Sequence, residues 1–340
     1  MRTVAVLGAG SWGTGLAVHL GRVGHDVRLW ARDGALVDDM TARRANAVYL
    51  PDVRLPDSVS VTKAMRDALA DAELVVSAIP SHGCRGVMQS AAPLLAARAV
   101  IVSATKGLEA GSLLRMSQVI AEEAGASHPV VVLSGPSFAI EVARELPTAV
   151  LAASGDAAAI QLVQEEFRGP YFRLYGSDDV IGVEIGAAMK NIIAIAAGVV
   201  EGLGLGHNAL AALITRGLAE LTRLACAAGG RRETLAGLSG LGDLVLTCTG
   251  NLSRNRHVGI ELARGRALDE ILASTKMVAE GVNTTGAALE LGARYHVELP
   301  IVTQMAEVLG GRADVRTALD ALMLRRQRAE ADLGRDVRSG

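Results

Sequence analysis

Short β-branched apolar runs alternate with longer stretches of helical periodicity through the first half of the chain. The runs fall at residues 3–7, 27–30, 74–78, 99–103, 130–133, 149–153 and 172–175, and this rhythm predicts a mostly parallel sheet covered by helices. After Tyr175 the strand signals stop. Gly176, Ser177, Asp178 and Asp179 read as a turn, an N-cap and first-turn acids for a long apolar helix. From there to about Gln327 the pattern is helical, with glycines marking the breaks. The expected architecture is α/β, a Rossmann-type doubly wound sheet followed by an all-helical C-terminal domain. The expected boundaries are 1–180 for the dinucleotide-binding part, 181–328 for the helical substrate part and 329–340 for a polar, frayed tail.

Composition narrows the class. With 340 residues, half of them hydrophobic, the chain can bury a large core, and its length suits two domains. The net charge is −2 and only 3% of residues are aromatic, so no basic stripe with interleaved aromatics is available and nucleic-acid binding is not expected. Arg325, Arg326 and Arg328 read as the solvated face of a terminal helix. Apolar stretches are shorter than a membrane span or are interrupted by Lys190, and residues 1–10 read as a strand running into glycines rather than as a signal peptide. A cytoplasmic protein without a membrane span is expected. Cys84, Cys226 and Cys248 have no CxxC spacing and are odd in number, which predicts reduced thiols, no disulfide and no metal.

Charge type is more informative than charge balance. Of 34 basic side chains only Lys63, Lys106, Lys190 and Lys276 are lysines. Lys190 is the sole ionisable residue of 185–200, and its helical neighbours Val183, Gly186, Ala187, Ile193, Ala194 and Ala197 form an apolar, mostly small face. Lys106 follows the run at 99–103 and precedes Gly107, at the strand end where an open parallel sheet meets its ligands. Arginine is effectively never deprotonated, whereas a lysine in an apolar setting can titrate and pass a proton. The plainer alternative is a lysine snorkelling out of a core helix.

Gly8, Ala9, Gly10, Ser11, Trp12 and Gly13 follow the first strand and open a helix over 14–22. The glycines fall where a tight turn, close approach of a pyrophosphate and helix packing require them, with the phosphates on the helix N-terminus. At the end of the second strand stand Arg32 and Asp33. Arg32 favours the 2′-phosphate of NADP, and Asp33 still allows the ribose hydroxyls of NAD; alternatively the two residues only begin the next turn. The loops at 80–83, 106–107 and 134–139 are expected to line the same crevice or to be plain turns.

The densest polar grouping of the second half runs from Ser239 to Arg256. Asp243 and Thr247 are four apart and share a helical face, and Ser253, Arg254 and Asn255 offer a hydroxyl, a guanidinium fork and an amide to a phosphate or carboxylate. A solvated helix end is the plainer reading.

With these segments in view the chain closely resembles the bacterial NAD(P)-dependent sn-glycerol-3-phosphate dehydrogenases. The motifs are GAGSWG, SATKGL, LSGPSFA, EIGAAMKNIIAIAAG, GLGDLVLTCTGNLSRNRHVG and VAEGVNT, which together span about residues 1–325. The resemblance implies NADP or NAD as cofactor and interconversion of dihydroxyacetone phosphate and sn-glycerol 3-phosphate, a product that feeds phospholipid synthesis. It also implies that Lys190 transfers the proton, that Lys106 lies beside nicotinamide and substrate, and that Asp243 supports both lysine and substrate. Thr247, Ser253, Arg254 and Asn255 match substrate and phosphate contacts, Arg254 also reaching the cofactor. Gly135, Ser137 and Ala139 match contacts of the inter-domain loop, and Val278 and Glu280 match cofactor contacts. The small-residue helices suit a homodimer. Burial among Ala187, Ile193 and Ala194 would lower the pKa of Lys190, while a bound phosphate and Asp243 oppose that shift. Other readings remain: a related dehydrogenase of the 3-hydroxyisobutyrate or 6-phosphogluconate type, which places substrate anions with other motifs, and a non-catalytic NADP(H) sensor, against which the intact lysines argue.

Overall fold

A computed structural model describes residues 1–275 and 277–327; Lys276, Arg328 and the tail expected at 329–340 lie outside the described residues. The chain divides into two compact units, Met1–Glu109 with Leu114–Val180, and Ala110–Leu113 with the chain from Ile181 onward.

The first unit holds ten strands: β1 (Thr3–Leu7), β2 (Asp26–Trp30), β3 (Ala45–Asn46), β4 (Leu50–Arg54), β5 (Val59–Thr62), β6 (Leu74–Ser77), β7 (Val100–Ser103), β8 (Val130–Ser134), β9 (Thr148–Ala153) and β10 (Phe172–Ser177). Its helices are α1 (Ser11–Arg22), α2 (Gly34–Arg43), α3 (Met65–Leu69), α4 (Ser81–Ala91), α5 (Met116–Ala124), α6 (Ala139–Ala143) and α7 (Ala157–Phe167). Eight strands form one sheet in the order β10-β9-β8-β7-β6-β1-β2-β5, parallel except where β8 meets β9. Residues alternate between its two faces. Val4 and Val6 of β1 pack with Leu16 and Leu20 of α1, while Ala5 and Leu7 pack with Met88 of α4 and Ile120 of α5. Burial on both faces explains why these strands read as continuous apolar runs. The chain proceeds from β1 outward to β2 and β5, then returns to β6 on the other side of β1. The crevice at this reversal is the ligand position of doubly wound sheets.

Three features depart from the sequence expectation. The edge strand β5 and the β3–β4 hairpin carry polar, partly exposed positions and lack the apolar continuity of the central strands. The segment Gly176–Ser177 extends β10 instead of turning, and the helix that follows has no acid in its first turn, because Asp178 and Asp179 precede it. Residues 81–83 belong to α4 rather than to a loop.

The second unit is helical: α8 (Val180–Gly202), α9 (Gly206–Ala227), α10 (Arg232–Ala236), α11 (Asp243–Thr249), α12 (Arg254–Ala263), α13 (Leu268–Ala273), α14 (Glu280–Arg294), α15 (Pro300–Leu309) and α16 (Val315–Met323), with a π-helical turn at Leu238–Gly242. By length and composition α8 could cross a membrane. It is instead the core helix of this unit, buried at every position from 182 to 200, as expected of a helix apolar all round in a globular fold. Its glycines let neighbours reach its backbone. A Cβ on Gly198 would lie 1.9 Å from the carbonyl oxygen of Arg256, and one on Gly259 would lie 1.9 Å from that of Ile195. Thus α8 and α12 cross with backbones in contact, and α12 presents its N-terminus at a fixed position along α8.

Candidate active site

In the first unit the glycine loop joins β1 to α1. Gly8 has φ +109°, and a Cβ there would stand 2.7 Å from the carbonyl oxygen of Ala78 at the end of β6. Gly13 is the packing glycine, since its Cβ would fall 1.9 Å from the Gly8 oxygen. Gly10 is different: a Cβ there meets nothing within 4 Å. It borders open space at the start of α1, and its position as N-cap supplies no side-chain hydrogen bond to the first amides. Those amides suit an anion. Ser11 donates its hydroxyl to the Tyr49 carbonyl at 2.6 Å, so toward a phosphate it has its backbone N–H to offer. The indole Nε1 of Trp12 is buried without a hydrogen-bond partner. A loop open at Gly10, with unengaged amides above a helix, fits a dinucleotide pyrophosphate.

Arg32 is exposed just past β2, and Asp33 is the N-cap of α2, its Oδ1 accepting from the amides of Ala35 at 3.0 Å and Leu36 at 3.4 Å. The acid available to ribose hydroxyls is therefore partly engaged by its own helix. Lys106 lies in the loop after β7 and donates from Nζ to the Gly135 carbonyl at 3.1 Å, an oxygen that also accepts from the Ser137 hydroxyl at 3.0 Å. Gly135 has φ +133° and sits against Val150, where a Cβ would come within 3.0 Å of backbone. Ala139 opens α6 and packs on Gly15 of α1. The loop residues Lys106, Gly135 and Ser137 thus form one hydrogen-bonded group.

In the second unit Lys190 is 6% exposed at the centre of α8. Its Nζ donates to Asp243 Oδ1 and to Thr247 Oγ1, both at 2.6 Å, and the Thr247 hydroxyl donates to the Asp243 carbonyl at 2.6 Å. Asp243 and Thr247 occupy successive turns of α11, so one helix supplies both partners. Close packing sets the distance: Gly186 of α8 admits Ser239 and Gly240 of the π-helical turn that leads into α11. A buried charge persists only when paired and hydrogen-bonded, and Lys190 is engaged rather than snorkelling. Burial pushes the neighbouring Cys248 thiol up to about 12, against the opposing pull of Lys190. It is therefore a neutral packing group at physiological pH.

Ser253 is the N-cap of α12, accepting from the Arg256 amide at 3.3 Å. Arg254 donates to the Val278 carbonyl at 3.3 Å, and Glu280, at the start of α14, lies near enough to act on its charge; the structure therefore gathers Arg254, Val278 and Glu280. Asn255 is buried and bridges three helices, donating to Asn191 Oδ1 at 3.1 Å and accepting from the Gly281 amide at 2.9 Å. Sequence reasoning missed this bridging use and missed Asn191 as its partner, although Asn191 directly follows Lys190. It also missed Glu220 of α9, buried, whose carboxylate accepts from the amides of Ile301 at 2.8 Å and Val302 at 3.3 Å and so caps α15 from another helix. A groove of about 950 Å³ in this unit passes Val200, Leu213, Glu220, Ile301, Leu319 and Met323, but contains none of Lys190, Asp243 and Thr247.

Residues 3–160 match the family described as NAD-dependent glycerol-3-phosphate dehydrogenase N-terminus, and residues 179–320 match the corresponding C-terminus. A protein of Acidobacterium capsulatum named glycerol-3-phosphate dehydrogenase [NAD(P)+] is 53% identical over 338 residues, covering 97% of this chain and all of its own length. One of the same name from Koribacter versatilis is 52% identical over 329 residues, covering 96% and 98%. The crystal structure of glycerol-3-phosphate dehydrogenase from Coxiella burnetii is similar with a TM-score of 0.92 and 42% identity, covering 95% of this chain and 99% of that one.

Proposed function

The chain belongs to the NAD-dependent glycerol-3-phosphate dehydrogenase family, and from that premise we propose that Lys190 is the proton-transferring group in the interconversion of dihydroxyacetone phosphate and sn-glycerol 3-phosphate. The protein is an NAD(P)-dependent oxidoreductase. The observation that carries the assignment is a buried ammonium held at 2.6 Å by both Asp243 and Thr247. When bound, NAD(P)H would supply the hydride that reduces the C2 carbonyl and leave as NAD(P)+. Lys190 then donates an N–H proton to the developing alkoxide and is left as an amine, which solvent reprotonates. Asp243 and Thr247 orient Nζ and balance its charge.

Lys106 is proposed as a fixed positive charge beside the nicotinamide, stabilising the alkoxide electrostatically; its bond to the Gly135 carbonyl supports a set position. Ser253, Arg254 and Asn255 are proposed to receive the substrate phosphate. For Asn255 this leaves its second amide hydrogen, because its other donor and its oxygen already bridge helices. Gly8, Gly10, Ser11, Trp12, Gly13, Arg32, Ala139, Val278 and Glu280 are proposed as cofactor contacts. The division of labour at 180/181, cofactor in the first unit and substrate groups in the second, belongs to the same proposal. So do the supply of glycerol 3-phosphate to phospholipid synthesis and a cytoplasmic location, testable by auxotrophy of a deletion strain and by fractionation. A homodimer is supported by the exposed side chains of Met323 and Leu324, the first of which lines the apolar groove; sedimentation showing only monomer at micromolar concentration would reject it. The reaction is tested by following NADPH oxidation with dihydroxyacetone phosphate. Absence of turnover in folded protein, with cofactor bound, would leave the sensor reading standing.

A further inference from the structure

Resting on the dinucleotide reading above, we infer that Lys63 is a second cationic contact for the 2′-phosphate of NADP(H), beside Arg32, and hence a specificity-determining residue of the cofactor site. Lys63 is one of four lysines in a chain that otherwise uses arginine. It follows directly on β5, the strand that pairs in parallel with β2 and sets Thr62 opposite Trp30. Two hydrogen bonds fix its backbone beside the end of β2: the Ala31 amide donates to the Thr62 carbonyl at 3.1 Å, and the Trp30 indole donates to the Lys63 carbonyl at 3.0 Å. The side chain then lies over Gly34. A Cβ built on that glycine would stand 3.6 Å from Lys63 Cδ and 4.0 Å from Nζ.

The ammonium therefore stands over the Arg32–Asp33–Gly34 turn, at the strand end where the substituent on the adenosine ribose is read. Both cations are exposed, and neither forms an ion pair among the described residues. The adjacent acid is turned to its helix, with Asp33 Oδ1 accepting two amide hydrogens, which lessens its repulsion of an incoming anion. A phosphate dianion offers three oxygens. A planar guanidinium takes two of them and a point-like ammonium on a flexible stem takes the third, a division of roles that suits one arginine and one lysine. The neutral 2′-hydroxyl of NAD gains little from either.

The test is direct binding by the full-length protein, without turnover. Titrations with NADPH, NADH, adenosine 2′,5′-bisphosphate and AMP are compared for the wild type, Lys63→Met and Lys63→Arg. Lys63→Met should weaken NADPH and the bisphosphate roughly 5- to 20-fold, the range of a charge-assisted contact at a wet surface. NADH and AMP should change less than about 2-fold, and Lys63→Arg should keep most of the preference. The side chain is exposed, so an unchanged melting temperature is expected and guards against misfolding. Equal weakening of the bisphosphate and AMP, or no weakening of either, overturns the inference while leaving the cofactor reading intact. A wild type that binds neither NADPH nor NADH overturns the cofactor reading, and the inference falls with it.

Discussion

The two candidate sites are built from different materials. In the first unit the candidate cofactor loop is backbone: Gly8, Gly10 and Gly13 matter for atoms they lack, and the groups it could offer an anion are the first amides of α1. In the second unit the reactive cluster is side chain: Lys190, Asp243 and Thr247 converge from two helices onto a single ammonium. A backbone site tolerates most changes of side chain but feels an added methyl wherever backbone or ligand comes close. A side-chain site depends on each functional group, and because the groups are buried, on their mutual pairing.

Four experiments probe that contrast. The largest effect is expected at Lys190. Lys190→Ala should lower kcat by about 10²–10⁴ with NADPH affinity retained, and should also lower stability, by up to about 3–5 kcal/mol, since the buried Asp243 carboxylate loses its ammonium partner. Turnover close to wild type would move the proton to another donor and remove the side-chain half of the comparison. Next, Arg254→Ala should reduce kcat/KM for dihydroxyacetone phosphate by about 10–10² and for unphosphorylated dihydroxyacetone far less, consistent with a charge-assisted phosphate contact. Equal losses with both ketones would assign Arg254 to the cofactor or to the fold.

The backbone site is probed by Gly10→Ala. A methyl there touches no protein atom within 4 Å, so the melting temperature should be unchanged while NADPH and NADH affinities both fall roughly tenfold, an overpacking cost of about 1–2 kcal/mol. Unaltered calorimetric Kd values would show that the pyrophosphate does not approach this atom.

The smallest effect on turnover is expected at Glu220, a buried acid whose carboxylate caps the amides of α15. Burial raises its pKa to about 7, against the amides of Ile301 and Val302. Between about pH 4.5 and 7 the folded state keeps a proton that the unfolded chain has released. Stability should therefore decline across that window, by no more than about 3 kcal/mol, and level off above it. Denaturant titrations of Glu220→Gln should lose this slope; an equal slope in the variant would place the titrating group elsewhere.

The sequence made the backbone site legible because its signal is local. Strand, glycine spacing and helix lie within the first 22 residues, and the structure keeps that order. Lys190 stood out through composition, as a lone charge on an apolar helix in a chain poor in lysine. What escaped was whatever depends on contacts distant in the chain. Asn255 bridges to Asn191 and Gly281, and Glu220 caps a helix that begins 80 residues later. Neither leaves a periodicity. The edge strand β5 and the β3–β4 hairpin escaped for a different reason, because one-sided burial breaks the apolar run that marks the central strands. Asp33 shows a residue whose local role as an N-cap competes with the ligand role its position suggests.

The contact between Gly198 and Gly259 bears on which molecules the enzyme can use. At this crossing backbone meets backbone, so no side-chain rotamer there can change the spacing between α8 and α12. On the roles proposed for Lys190 and Ser253–Asn255, the two helices would act as the fixed jaws of a gauge, one at the carbonyl and one at the phosphate. A ketone whose phosphate sits one carbon farther out would have to bend to fill both positions, and would meet a limit set by main-chain atoms rather than by a pliable pocket wall.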